Sequence, residues 1–266
     1  MFKRLLMIFQ WKDLIRNMVL RNLKIRYQSS ALGFLWTMLN PLLMMGVYFI
    51  FISLLRIPIN LPELLVGILA WNFFVMCVSD SVNVISGYPS LIKRTYFPKL
   101  TFPLSMVLAN LINFLLSLLV LAAFLALYAG IIKPDYALRL GYPLLLLPLL
   151  IIIQTMLIFG LSNIFSALNV YFKDIQHIVQ ILLLAWFFLT PVMYTIDRVQ
   201  IRGETVFHLY LLNPMTSVVV FYRYIFLGKP IPSTLFFYLS LLISPLIFLA
   251  GTFFFLKKEP FFADEL

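Results

Sequence analysis

Six long apolar runs, which together carry a single charged residue, Asp80, leave this chain few folds to adopt. They occupy residues 32–55, 64–86, 102–132, 142–170, 178–196 and 233–256. An α-helix rises about 1.5 Å per residue, so about 20 residues cross the roughly 30 Å hydrocarbon core of a bilayer. In lipid every backbone N–H and C=O must find a partner within the protein, and a helix supplies all of them locally. The runs therefore predict an all-α integral membrane protein with six transmembrane helices. The two longest exceed a straight crossing and predict tilt, a projecting end, or a kink at Pro148 in the fourth.

The charges order these runs. From Arg21 to Pro41 the chain reads R-N-L-K-I-R-Y-Q-S-S-A-L-G-F-L-W-T-M-L-N-P, and its chemistry changes near Ser29. Upstream lie Lys3, Arg4, Lys12, Arg16, Arg21, Lys24 and Arg26, against Asp13 alone; downstream no charge occurs until Arg56. Short cationic flanks stay on the side of synthesis. With both ends inside, the inner segments hold 13 of the 20 basic residues and the outer ones seven. The expected localisation is thus multi-pass, with both termini cytoplasmic. Residues 1–30 are read as a cytoplasmic amphipathic helix, with Leu14, Ile15, Met18 and Ile25 near one side and Lys12, Asp13, Arg16, Asn17 and Lys24 opposite. Residues 31–266 form the six-span domain.

The same charges argue against nucleic acid as a partner. Charged residues are only 11% of the chain, where a soluble domain carries roughly 25%, and the net +10 sits in short segments between apolar runs. The short apolar stretch 5–9 and the Gln10 to Asp13 segment after it do not form a cleavable signal. Cys77 is the one cysteine, so neither an intrachain disulfide nor a cysteine metal cluster can form.

Residues 203–228 pose a choice. Residues 206–228 have the length of a seventh span, but Asn213-Pro214 interrupts them, and His208 and Arg223 would lie in lipid. Two short helices that dip into the outer leaflet and return are the preferred reading, since broken backbone at membrane depth is tolerated where protein covers it.

Catalytic chemistry is missing from the pattern. No G-x-x-x-x-G-K-[ST] occurs, so this chain does not cradle nucleotide phosphates in a P-loop and is not expected to be an enzyme alone. His177 and His208 flank spans without the spacing of metal ligands, so no metal site is expected. Asp80, near Ser79, Ser81 and Asn83, is one acid where a proton-driven carrier would line up several. Its plain reading is pairing with an inner-leaflet Lys or Arg.

Four blocks then carry a resemblance: residues 23–41 (L-K-I-R-Y-Q-S-S-A-L-G-F-L-W-T-M-L-N-P), 169–175 (N-V-Y-F-K-D-I), 190–194 (T-P-V-M-Y), and 212–216 (L-N-P-M-T) with Tyr222-Arg223. Together and in this order the chain resembles the permease subunits of type-2 ABC exporters, more narrowly those for O-antigen, capsule and teichoic-acid polysaccharides. The resemblance implies two permease chains and two separate ATPase chains in the bacterial inner membrane. ATP and magnesium would be held by the ATPase partner, with no cofactor on this chain, and a lipid-linked polysaccharide would be the substrate. It also implies an inner coupling segment at 87–100, bracketed by Pro89 and Pro98. Leu91, Ile92, Tyr96 and Phe97 would enter a groove of the ATPase, with Lys93, Arg94 and Lys99 at its rim. By the same resemblance the first and fifth spans line the path, which draws attention to Trp36, Tyr48, Trp186, Phe187, Phe188 and Tyr194. Sugar C–H faces rest on aromatic faces. The outer helix pair would act as a gate at Tyr210, Asn213, Pro214, Tyr222 and Arg223, Asn213-Pro214 forming its corner. For Arg223 two roles stay open, snorkelling to the interface and contact with lipid or diphosphate oxygens. Aromatics make up 17% of the chain, and belt or packing roles compete for each of them. The rival functions are a type-2 exporter of drugs or lipids, an ion-coupled carrier, and an intramembrane enzyme.

Overall fold

The computed structural model describes residues 9–28, 30–57, 59–94, 97–132, 141–201, 203–232 and 234–266. Lys3, Arg4, Ser29, Tyr96, Lys133, Arg139, Arg202 and Ser233, which entered the charge, coupling and span expectations, lie outside the described residues.

Every described element is helical. The first helix is α1, Lys12–Tyr27. Next come α2, Trp36–Leu54, α3, Leu61–Val82, and the six-residue α4, Pro89–Arg94. Two long helices follow, α5, Thr101–Leu127, and α6, Leu147–Tyr171. The shorter α7, Ile175–Phe188, and α8, Asp197–Gln200, precede the pair α9, Glu204–Leu211, and α10, Pro214–Leu227. The chain closes with α11, Leu235–Lys258, and α12, Phe262–Glu265. Helical turns at Tyr128–Ile132 and Tyr142–Leu146 lengthen α5 and α6. Pro148 does not sit in the middle of α6. It is the second residue of α6, at the junction with the tighter turn Tyr142–Leu146, so it falls where the helix changes type and not inside the α-helical run.

Five helices among the described residues are long and apolar enough to cross a membrane: α2, α3, α5, α6 and α11, the last three with their flanking turns. The expected fifth span, 178–196, differs. Helix α7 stops at Phe188 after 14 residues, a rise of about 21 Å and short of a full crossing. Pro191 has no N–H to donate and disfavours helical backbone in Thr190, so residues 189–196 turn instead of continuing. Helices α9 and α10 meet at 89°. A straight seventh span does not form.

Helix α3 is the centre of the bundle, packed by α2, α5, α6, α7 and α10. Behind it α6 and α11 pack closely, because a Cβ on Gly160 or Gly251 would strike the backbone of the other helix. Helix α1 lies along α5 on the face of Leu14, Ile15, Met18 and Val19, continuing through Asn22 to Arg26. This is the expected amphipathic helix with one change: Ile25 is exposed, because it falls outside that stripe, and Arg26 turns inward.

Candidate functional site

Almost every residue of α3 is buried, and the exceptions form a line. Beyond Leu61 at its start, only Asn72, Val75, Met76, Ser79 and Asp80 are partly open. Their spacing of i, i+3, i+4, i+7 and i+8 puts them on one side of a helix. An open stripe holding a carboxylate and an amide is a poor surface for lipid, since a charge at membrane depth is costly there.

The stripe floors a groove of two adjacent cavities that share Asn72, an inner one at the end of the bundle that holds α1 and α4 and an outer one toward the end that holds α9 and α10. The inner part, about 550 Å³, is bounded by Arg26, Trp36, Asn40, Asn72, Asp80 and Asn113. Here the Arg26 guanidinium forms an ion pair with Asp80 and donates to Asn110 Oδ1 at 2.7 Å. Asn110 Nδ2 donates to Asp80 at 2.9 Å, closing the triangle. Asp80 thus has the pairing expected of it, with the arginine coming from the N-terminal helix. The arrangement can do two things chemically: offer amide and indole groups to sugar hydroxyls and ring faces, and exchange the carboxylate on Arg26 for another anion.

The outer part, about 630 Å³, runs between α2, α3 and α7, past Tyr48, Trp71, Phe187 and Phe188. The Phe187 ring centroid lies 5.9 Å from that of Tyr48 and 5.6 Å from that of Trp71. The groove therefore changes along its length from amides and charge to aromatic rings. Trp36, Tyr48, Phe187 and Phe188 border it. Trp186 and Tyr194 do not line this groove. The Trp186 indole turns to the other side of α7 and donates to Asn213 Oδ1 at 2.8 Å, while its ring packs edge-on against Phe74.

Asn213 gathers the outer end. Its side-chain oxygen also accepts from Met215 N at 3.0 Å, capping α10, and its amide donates to Leu189 O and Thr190 Oγ1. Pro214, the first residue of α10, gives up an N–H that has no helical partner there. The Tyr194 and Tyr210 hydroxyls lie against each other and both within hydrogen-bond distance of Phe188 O, so one hydroxyl donates to the other and its partner donates to the carbonyl. The helix pair is thereby tied to the carbonyls that end α7.

Two of the gate expectations need correction. Tyr222 is 1% exposed and its hydroxyl donates to Gln154 Oε1 at 2.8 Å, so it faces the core toward α6. Arg223 is 4% exposed and neither snorkels nor reaches toward lipid phosphate. Its donors go to the backbone carbonyls of Glu63, Tyr194 and Val192 at 3.3, 2.9 and 3.0 Å. A guanidinium carries several donors in a rigid plane, and here they join the start of α3, the turn after α7 and α10. Gly67 leaves the space this needs, since a Cβ there would stand 2.9 Å from Val192 O and 3.2 Å from Arg223 Nη2. Next to it Glu63, 2% exposed, pairs with Lys229 at 2.7 Å.

At the end of the bundle near α1, α4 occupies the start of the 87–100 segment, and the residues expected to dock divide there. Ile92 and Phe97 are buried in this chain's own core, Phe97 against Trp11 and Phe102, so neither is available to a partner's groove in this conformation. Lys93 and Arg94 are exposed, and Leu91 is half-buried. Helix α12 sits beside α4, and Glu259 accepts from Lys99 N at 2.6 Å, so the last residues brace this segment.

Asn40, Asn72, Asn110 and Asn113 were passed over in the sequence, although a signal existed. Asn72, Ser79 and Asp80 share a helical face, as do Asn110 and Asn113. Comparison with known proteins identifies the family. The family model described as ABC-2 type transporter matches residues 13–227. The "O-antigen export system permease protein RfbA" of Myxococcus xanthus is 37% identical over 230 residues, 85% of this chain and 84% of that protein. Two proteins of the same name from Klebsiella pneumoniae are 30% and 32% identical over 220 residues, 81% of each chain. With the match covering most of its length and a helical bundle of membrane-crossing size, the chain belongs to the ABC-2 type transporter family of multi-pass membrane proteins.

Proposed function

We propose that this chain is the permease half of an ATP-driven exporter that carries a lipid-linked polysaccharide of the O-antigen or teichoic-acid type out of the bacterial cytoplasm across the inner membrane. The observation that carries the reading is the open stripe of α3 and its groove, polar at the inner end and aromatic further out. Amides and Trp36 suit a glycan arriving from the cytoplasm, and rings further along let sugars slide without fixing one sequence of them. Helices α2 and α7, which flank the groove, bury only narrow stripes of their surfaces, which suits closure of the path by a second copy of the chain.

Both termini are cytoplasmic on this reading, and a separate pair of ATPase chains binds ATP and magnesium. Lys93 and Arg94 on α4 meet acidic groups of the ATPase, with Leu91 beside them. Closure of the ATPase dimer pushes α4, and the movement passes through Ile92 and Phe97, which are seated in the bundle. Tyr210 and Asn213 hold the outer pair against the end of α7 as a gate that opens when α7 shifts. The test is reconstitution of this chain with its ATPase subunit in vesicles, supplied with defined polyprenyl-diphosphate glycans. Glycan-dependent ATP hydrolysis and transfer of the glycan to the far side support the proposal. Equal stimulation by glycan-free lipids or drug-like amphiphiles would move it to the rival type-2 exporters.

A further inference from the structure

On the far side of α5 from the groove, a second cleft of about 840 Å³ runs between α1, α5, α6 and α11. Its walls are apolar, among them Leu104, Leu108, Leu115, Ile152 and Phe248, with Thr155 the one neutral polar residue. At its mouth stand Lys12 and Arg16 on α1, both exposed and without an ion pair among the described residues. Asp13, the nearest acid in sequence, is exposed and stands one helical turn from Arg16 without forming an ion pair with it, and it does not line the cleft. From Leu104 to Leu115 the α5 wall covers eleven helical steps, about 16 Å, which is the depth of one leaflet of a roughly 30 Å core.

We infer that this cleft is a binding site for an anionic phospholipid of the inner leaflet, its phosphate against Lys12 and Arg16 and its acyl chains along α5 and α6. Two cations over a leaflet-deep apolar slot match that amphiphile, and each basic side chain near the surface contributes to holding an anionic headgroup. A bound lipid would fill the space between α1 and the bundle and fix α1, the helix that carries Arg26 to the groove. The inference does not depend on the exported substrate.

The test is native mass spectrometry of the full chain released from detergent with phosphatidylglycerol, phosphatidylcholine or a polyprenyl phosphate. Wild-type protein should retain phosphatidylglycerol roughly tenfold better than phosphatidylcholine. Lys12→Gln with Arg16→Gln should abolish that preference while both lipids still bind weakly, and Leu108→Trp, which fills the slot, should lower retention of both. Circular dichroism checks that each variant is folded. Equal retention of the two phospholipids by wild type, unchanged retention in both variants, or displacement of phosphatidylglycerol by polyprenyl phosphate would each overturn the assignment.

Discussion

The two ends of the bundle each place an arginine among helices, and they use it in opposite ways. At the outer end Arg223 is buried and its bonds run to three backbone carbonyls, groups that no substrate can displace without unfolding the turn after α7. At the inner end Arg26 is partly open and its partners are side chains, Asp80 and Asn110, at the edge of a cavity. The first arrangement fixes a shape. The second can exchange one anion for another. What distinguishes a strut from a recognition group is where its hydrogen bonds end, and neither the residue type nor its position in the sequence reveals that.

Arg223→Met should break the comparison most strongly. Loss of the guanidinium strands the Val192 and Tyr194 carbonyls and leaves Glu63 with less compensation, a cost of about 3 kcal/mol or more, seen as a large drop in the thermal midpoint of purified protein. If Arg223→Met unfolds like wild type and only export fails, Arg223 is a gate residue after all. Asn213→Leu should follow, at about 2 kcal/mol, because it removes a helix cap together with the bonds to Trp186, Leu189 and Thr190. Thermal unfolding in the same detergent checks it.

Changes at the inner end should leave stability nearly intact and act on function. Lys93→Glu with Arg94→Glu should weaken association with the ATPase roughly tenfold, measured by co-purification across a salt series, with the midpoint unchanged. Arg26→Gln or Asp80→Asn should cost less stability than the Arg223 and Asn213 changes, because both side chains are partly open and the one left behind keeps its hydrogen bond to Asn110. Both should nevertheless reduce export by several-fold, and the double variant should be less impaired than the sum of the two, because each change acts on the same contact. Strict additivity would remove Arg26 and Asp80 from the path.

The helical class, the bend at Asn213-Pro214 and the pairing of Asp80 were legible because each follows from a local rule: run length, the missing N–H of proline, and the cost of a lone charge in lipid. The end of α7 at Phe188 was not, since Val192 to Ile196 carries no charge and continues the apolar run, and Pro191 is the one strong break signal. The role of Arg223 was hidden for a different reason. Its acceptors are carbonyls at Glu63, Val192 and Tyr194, as far as 160 residues away, and every residue has a carbonyl. Ile92 and Phe97 looked like docking anchors because exposed and buried apolar residues read alike in a short loop. The groove was half legible: its aromatics drew attention, while its asparagines were visible only as helical spacing.

The central claim, that the stripe of α3 borders the glycan path, is tested most directly by photo-crosslinking during stalled export. A crosslinker replaces Asn72, Val75 or Phe187 in the groove, and Leu119 or Leu246 on exposed apolar surface away from it. The account predicts polysaccharide adducts from the three groove positions that depend on ATP and substrate, with none from the other two. Adducts from Leu119 and Leu246 equal to those from the groove, or none from Asn72 and Phe187, would contradict it.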